Sequence, residues 1–105
     1  MTDQEYLTLA EAVLTAIERS VDQADADIEF ERSGNVLTFI FNNTVYIIVN
    51  SQAPMKEIWV AAPSGGFHYR LEGSRWEDTR GGPHLAEALS QIFSEVCDEP
   101  IKVNL

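Results

Sequence analysis

The sequence predicts an α+β fold, a two-layer sandwich with two helices packed on one face of a five- to six-stranded antiparallel sheet. Near each end of the chain, apolar residues recur at helical spacing and form a single stripe. Between these segments, short runs that alternate apolar and polar residues are separated by turn residues. Consecutive strands joined by short turns form antiparallel sheets, and two helices with one stripe each can cover only one face. The other face is therefore expected to meet water.

Composition limits the chain to one domain, residues 1–105, and excludes several classes of partner. The chain has 17 acidic and 7 basic residues, a net charge of −10, and 45% hydrophobic residues, enough to form one core. Nucleic acid and anionic membranes should repel such a chain, whereas cations and basic protein surfaces should attract it. The alternative is that the acidity serves only solubility.

Cysteine content and the N-terminus predict a cytoplasmic protein without a thiolate metal site. Cys97 is the only cysteine, so neither an intramolecular disulfide nor a thiolate cluster can form, and a buried free thiol is expected. The N-terminus is acidic, unlike a signal or transit peptide. No apolar run approaches the roughly 20 residues that span a bilayer.

The first helix is predicted from about Asp3 to about Asp22. Thr2-x-x-Glu5 forms a capping box ahead of it. Glu11, Glu18 and Asp22 lie within a narrow arc at 100° per residue, beside the apolar stripe. That stripe consists of Tyr6, Ala10, Val13, Leu14, Ile17 and Val21.

A first strand from about Ala26 continues the negative charge. With a period of two, Asp25, Asp27, Glu29 and Glu31 should project to the same side. Residues 1–31 contain nine acids and one base, whereas residues 32–105 contain eight acids and six bases. Like charges in a row do not help folding, although charge on an edge strand can also prevent aggregation. We call seven of these carboxylates the acidic surface: Glu11, Glu18, Asp22, Asp25, Asp27, Glu29 and Glu31.

The remaining elements follow from turn residues and periodicity. A second helix, with Pro83 in its first turn, presents the stripe Leu85, Ala88, Leu89, Ile92, Phe93 and Val96 and ends at Asp98-Glu99-Pro100. The tail, residues 101–105, is apolar enough to pack back against the helices. Strands are predicted at Val36–Phe41, Thr44–Asn50, Glu57–Ala61, Phe67–Glu72 and Trp76–Asp78, with turns at Ser33-Gly34-Asn35, Asn42-Asn43, Pro54, Gly65-Gly66 and Gly73-Ser74-Arg75.

Alternation divides the central strands between a core face and an open face. Val45, Ile47 and Val49 of the second hairpin should face the core. The later core positions are Ile58, Val60, Phe67, Tyr69 and Leu71, and the opposite side carries Trp59, Ala61, His68 and Arg70. An exposed aromatic residue beside cationic groups is typical of a protein–protein contact. The alternative is that another part of the protein covers this face and buries Trp59.

Motifs in the same region resemble the frataxin family. They are Asn50-x-Gln52-x-Pro54, then Ile58-Trp59-x-Ala61, then Gly65-Gly66-Phe67-His68-Tyr69. The likeness covers nearly the whole chain and is strongest to the bacterial members. It implies that the acidic surface binds Fe²⁺ and Fe³⁺ weakly and docks on a cysteine desulfurase. It also implies that Asn50, Gln52 and Trp59 contact the assembly of desulfurase and iron–sulfur scaffold protein.

The residues themselves favour binding over catalysis. Carboxylates are hard donors that suit iron, Mg²⁺, Mn²⁺ and Ca²⁺, but these ones do not converge on a closed loop, so weak binding is expected. No catalytic triad or phosphate loop is present. Together with these residues, the resemblance to frataxins implies a monomeric iron-binding modulator of iron–sulfur cluster assembly, with metal-induced oligomers as a variant. The alternatives are an acidic interaction module without a metal role and a weak ferroxidase.

Overall fold

A computed structural model describes residues 1–24 and 27–105, except for the side chains of Val45 and Tyr46. All six strands form one antiparallel sheet, in which each strand pairs with its sequence neighbours. This confirms the predicted fold class and sets the strand number at six. The elements, in chain order, are α1 (Asp3–Gln23), β1 (Glu29–Ser33), β2 (Val36–Phe41), β3 (Thr44–Gln52), β4 (Glu57–Ala62), β5 (Gly65–Glu72), β6 (Arg75–Asp78) and α2 (Leu85–Cys97).

Helix α1 begins at the predicted capping box. The Thr2 hydroxyl accepts a hydrogen bond from the Glu5 amide at 3.1 Å, and the Glu5 carboxylate accepts one from the Thr2 amide at 3.0 Å. The predicted stripe is buried except at Val13, which is partly covered. From this stripe the Tyr6 hydroxyl donates to the Glu57 carbonyl at 2.7 Å, which ties α1 to β4.

The core lies between the helices and one face of the sheet. Phe39 of β2 and Phe93 of α2 meet edge to face, with ring centroids 4.8 Å apart. The fully buried sheet residues follow the predicted alternation: Leu37, Phe39, Ile47, Val49, Ile58, Val60 and Tyr69. Of the predicted core positions, Phe67 and Leu71 are only partly buried, and the side chain of Val45 is outside the described part.

Helix α2 starts later than predicted. His84 has an extended backbone and forms the N-cap, so Pro83 precedes the helix and does not lie in its first turn. The helix ends at Cys97, where Asp98 adopts the left-handed conformation (φ 53°). Neither helix is long and apolar enough to span a bilayer, as far as the described residues go.

Several strand boundaries also differ from the prediction: β3 ends at Gln52, β4 ends at Ala62 and β6 begins at Arg75. Strand β1 begins at Glu29, because Asp27 lies in a bend and Ile28 precedes the pairing; Asp25 and Ala26 lie outside the described residues. The turn predicted at Gly65-Gly66 lies at Pro63-Ser64, and both glycines pair within β5, with Ala62 and Ala61. Proline pre-sets the backbone for a turn corner, and Gly65 (φ 138°) tolerates the geometry that restarts the strand.

Candidate functional site

The described members of the acidic surface lie on α1, in the bend that follows it and on β1. Asp22, Asp27, Glu29 and Glu31 are exposed, and none of them forms an ion pair with a described residue. Glu29 and Glu31 project from the side of β1 that faces away from the helices, because Phe30 between them packs on the core. Asp25, also predicted for this surface, lies outside the described residues.

Arg32 pairs with the two helix carboxylates nearest the middle of α1. Its Nη2 atom lies 2.5 Å from Glu11 Oε1, and its Nη1 atom lies 2.6 Å from Glu18 Oε1. The sequence interpretation assigned both acids to the acidic surface and did not predict this pairing. Arg32 has the same strand parity as Phe30, so its side chain points towards α1.

The described carboxylates of the acidic surface do not form a metal cage. Within residues 1–24 and 27–105, no group of three or more His, Cys, Asp or Glu side chains converges on one point. The exposed carboxylates remain chemically suited to hard cations, including ferrous and ferric iron. This arrangement supports weak binding to one or two carboxylates, with water completing the coordination.

A second cluster lies on the face of the sheet away from the helices. Strand register places Trp59 between Asn50 and His68, and Glu57 between Gln52 and Arg70. The sheet therefore brings together every residue predicted for partner binding and adds Glu57. We call these six residues the open-face cluster: Asn50, Gln52, Glu57, Trp59, His68 and Arg70.

Glu57 is the buried centre of this cluster. Its carboxylate accepts hydrogen bonds from the Trp59 indole at 2.8 Å and from the Arg70 guanidinium at 2.7 Å. The His68 Nδ1 atom lies 3.8 Å from the same carboxylate. Burial alone would raise the pKa of Glu57, but the hydrogen bonds from Trp59 and Arg70 and the nearby positive charge lower it overall. Glu57 therefore remains a carboxylate at neutral pH.

The remaining members present groups to solvent. The rings of Trp59 and His68 stack with centroids 4.2 Å apart and an interplanar angle of 8°. Trp59 is half-buried, whereas Arg70 is exposed. This confirms that Trp59 lies on the face away from the helices. A fixed aromatic ring beside a guanidinium group is well suited to contact another protein.

Cys97 and His84 do not form a catalytic arrangement with this cluster. Cys97 is a free, buried thiol, and burial, together with the charges of Glu99 and Asp27, raises its pKa. A thiol of this kind is a poor nucleophile at neutral pH. His84 caps α2 and lies 3.9 Å from Glu87.

Sequence reasoning missed Glu57 and the two partners of Arg32, Glu11 and Glu18. Glu57 has the same strand parity as Trp59, and a hairpin centred on Pro63-Ser64 places it opposite Arg70. With the turn predicted at Gly65-Gly66, the hairpin register is shifted and Arg70 does not fall opposite Glu57. For Arg32, strand alternation in the sequence indicates a side chain that points to the core side. The sequence does not indicate which residues of α1 it meets there.

Comparisons with known proteins identify relatives over the whole chain. The family model for the frataxin-like domain matches residues 1–99. A protein of Paraburkholderia phymatum, named iron-sulfur cluster assembly protein CyaY, is 59% identical over 103 residues that cover 98% of each chain. A protein of the same name from Bordetella petrii is 55% identical over the full length of both.

Solved structures show the same architecture. The frataxin of Psychromonas ingrahamii superposes with a TM-score of 0.91 at 28% identity and covers 100% of both chains. Yeast frataxin superposes with a TM-score of 0.57 at 26% identity and covers 88% of this chain and 80% of its own. The sheet that carries the open-face cluster is thus the shared framework.

Proposed function

The chain belongs to the frataxin-like family, and we propose that it acts in iron–sulfur cluster assembly as an iron-binding protein that docks on a cysteine desulfurase and its scaffold protein. The observation that carries this proposal is the full-length similarity to relatives named for cluster assembly. Because those relatives are named for assembly and not for a reaction, the proposed role is that of a modulator and iron donor, not an enzyme.

The exposed carboxylates support the iron-binding part of the proposal. Asp22, Asp27, Glu29 and Glu31 offer hard oxygen donors without ion pairs to described residues. Asp25 and the two helix acids, Glu11 and Glu18, complete the proposed surface. Iron is the cargo here, so weak and reversible binding suits its transfer to another protein.

Titration with Fe²⁺, or with Co²⁺ as a surrogate, tests iron binding. We expect amide NMR signals between residues 11 and 31 to change, because the metal should bind the carboxylates of the acidic surface. The amides of α2 serve as the internal control. Unchanged signals at millimolar metal would remove iron from the proposal and leave only docking.

Both clusters support the docking part. The acidic surface offers long-range attraction to a basic partner, which should weaken as salt increases. The open-face cluster offers the rigid pair Trp59 and His68 beside the exposed Arg70. We propose that the acidic surface attracts the desulfurase and that the open face contacts the desulfurase and scaffold.

Charge reversal tests the acidic contact. The triple variant Asp22→Lys, Glu29→Lys and Glu31→Lys should lose binding to purified desulfurase at low salt. A matched control reverses Glu72, Glu95 and Glu99, which are exposed acids elsewhere on the chain and produce the same change in net charge. Equal loss in both variants would attribute the effect to net charge and contradict a specific acidic contact.

Substitution on the open face tests the second contact. Trp59→Ala should weaken binding to the complex of desulfurase and scaffold, because it removes the stacked ring. Thr38→Ala lies on the same face of the sheet, on β2, and serves as the control. Circular dichroism establishes that both variants are folded; unchanged affinity for Trp59→Ala would exclude this face as the contact.

A further inference from the structure

Arg32 is held in place from two elements. Its guanidinium contacts Glu11 and Glu18 of α1 and lies 3.3 Å from the Thr15 hydroxyl. In the turn after β1, the Gly34 carbonyl accepts a hydrogen bond from Arg32 Nε at 3.4 Å. The Arg32 side chain is only 19% exposed. These contacts keep its positive charge between the helix and the edge of the sheet.

The two carboxylates are held unequally. Glu18 is 23% exposed and accepts a hydrogen bond from Arg32 Nη1, whereas Glu11 is 68% exposed. Arg32 Nη2 is buried and forms an ion pair with Glu11. Glu18 is therefore the firmer partner and Glu11 the looser one.

We infer that Arg32 is an internal counter-ion that shields Glu11 and Glu18 from external divalent cations, so that cations bind first at Asp22, Asp27, Glu29 and Glu31 among the described carboxylates. The inference rests on the proposed iron-binding function and names which of its carboxylates are available. An arginine does not lose its proton in proteins, so its charge opposes a metal ion at every accessible pH. A cation that binds either glutamate must overcome the adjacent positive charge of Arg32 or displace it.

Arg19 provides a matched control for this inference. It lies on α1 next to Glu18, is exposed, and forms no ion pair with the described residues. Arg19→Gln and Arg32→Gln change the net charge by the same amount. Only Arg32→Gln frees the two glutamates, so a difference between the variants isolates the ion pair from the general increase in negative charge.

Carboxyl-carbon NMR during titration with Mg²⁺ alone reports on each glutamate and aspartate separately. In the wild type, we expect Glu11 and Glu18 to respond at higher Mg²⁺ than Asp22, Glu29 and Glu31. In Arg32→Gln, they should respond at about two- to fivefold lower Mg²⁺ than in Arg19→Gln, in line with the strength of partly exposed ion pairs. Adding Glu18→Gln to Arg32→Gln should reverse the gain at Glu11, which then responds only at higher Mg²⁺.

Three outcomes would overturn the inference. One is the same response of Glu11 and Glu18 in Arg32→Gln and in Arg19→Gln. Another is equal wild-type midpoints for Glu11, Glu18 and Asp22, which is decisive even if Arg32→Gln does not fold. A third is no response of either glutamate in Arg32→Gln. In that case, a response of Asp22, Asp27, Glu29 and Glu31 would preserve the metal function, and its absence would remove the metal function as well.

Discussion

Glu57 is the residue on which the geometry of the open face depends. It is 97% buried although it carries a charge, and its carboxylate fixes both the Trp59 indole and the Arg70 guanidinium. A buried carboxylate is stable only when such partners replace its water. The positions of the half-buried Trp59 and the exposed Arg70 are therefore set by a residue that a partner protein cannot reach directly.

Replacing Glu57 with glutamine should lower the free energy of unfolding at pH 7 by about 1 kcal/mol. The amide can still accept a hydrogen bond from Trp59, but the ion pair with Arg70 is lost. Urea unfolding followed by circular dichroism measures the difference. Glu72→Gln, an exposed change near the end of β5, should leave the stability unchanged. Equal stability of the wild type and Glu57→Gln would show that the ion pair contributes nothing.

The difference in stability between the wild type and Glu57→Gln should also depend on pH, and the pKa of Glu57 defines the sign. The pKa of Glu57 is lowered by folding from its ordinary value of 4.5. Its contribution to stability is therefore fully present above pH 4.5 and is lost as the pH falls through the lowered pKa. The difference between the wild type and Glu57→Gln should shrink on acidification. A difference that grows below pH 4.5 would contradict the lowered pKa.

At the scale of elements, the C-terminal tail joins the two helices. The Ser94 hydroxyl accepts from the Ile101 amide at 2.9 Å and donates to its carbonyl at 3.1 Å. The Ser90 hydroxyl accepts from the Val103 amide, and the Ser20 hydroxyl on α1 accepts from the Asn104 amide. Ile101 and Val103 are buried, so the tail is part of the core and confirms the predicted packing.

Ser94→Ala should destabilise the protein by about 1 to 2 kcal/mol, because it leaves the Ile101 amide without its hydrogen-bond partner. Hydrogen exchange of the Ile101 and Val103 amides, measured together with urea unfolding, should show faster exchange in the tail. Ser74→Ala, in an exposed turn, is the control. Unchanged protection of both amides would mean that apolar burial alone holds the tail.

For the whole molecule, the uneven distribution of charge dominates. Most of the net charge of −10 comes from residues 1–31, and Arg32 neutralises only part of it. The exposed acids that remain repel one another in the folded state. Folding alone does not explain such an arrangement, whereas a cation or a basic partner surface would relieve the repulsion.

Salt should therefore raise the melting temperature, by about 5 °C if screening contributes on the order of 1 kcal/mol. Mg²⁺ should raise it further than NaCl at equal ionic strength, because binding to the folded state adds to screening. Differential scanning calorimetry measures both effects. The Asp22→Lys, Glu29→Lys and Glu31→Lys variant should lose the additional effect of Mg²⁺. A melting temperature independent of both salts would show that the acids are too far apart to interact.

Local patterns were sufficient for most of the fold. The capping box at Thr2 and Glu5, the two apolar stripes and the asparagine turn at Asn42-Asn43 all act over a few residues, and all lie where they were predicted. One error arose from two competing local signals. Both Pro63-Ser64 and Gly65-Gly66 favour a turn, and only the pairing of β4 with β5 decides between them.

The sequence by itself determined the two-layer architecture, the family resemblance and the surplus of negative charge, since these depend on composition, periodicity and short motifs. Only the tertiary structure decided which charges are free. Arg32 meets residues 14 and 21 positions away, and Arg70 meets Glu57 across a hairpin 13 positions long. Strand register and helix rotation set such contacts, and neither is encoded in any local stretch of the chain.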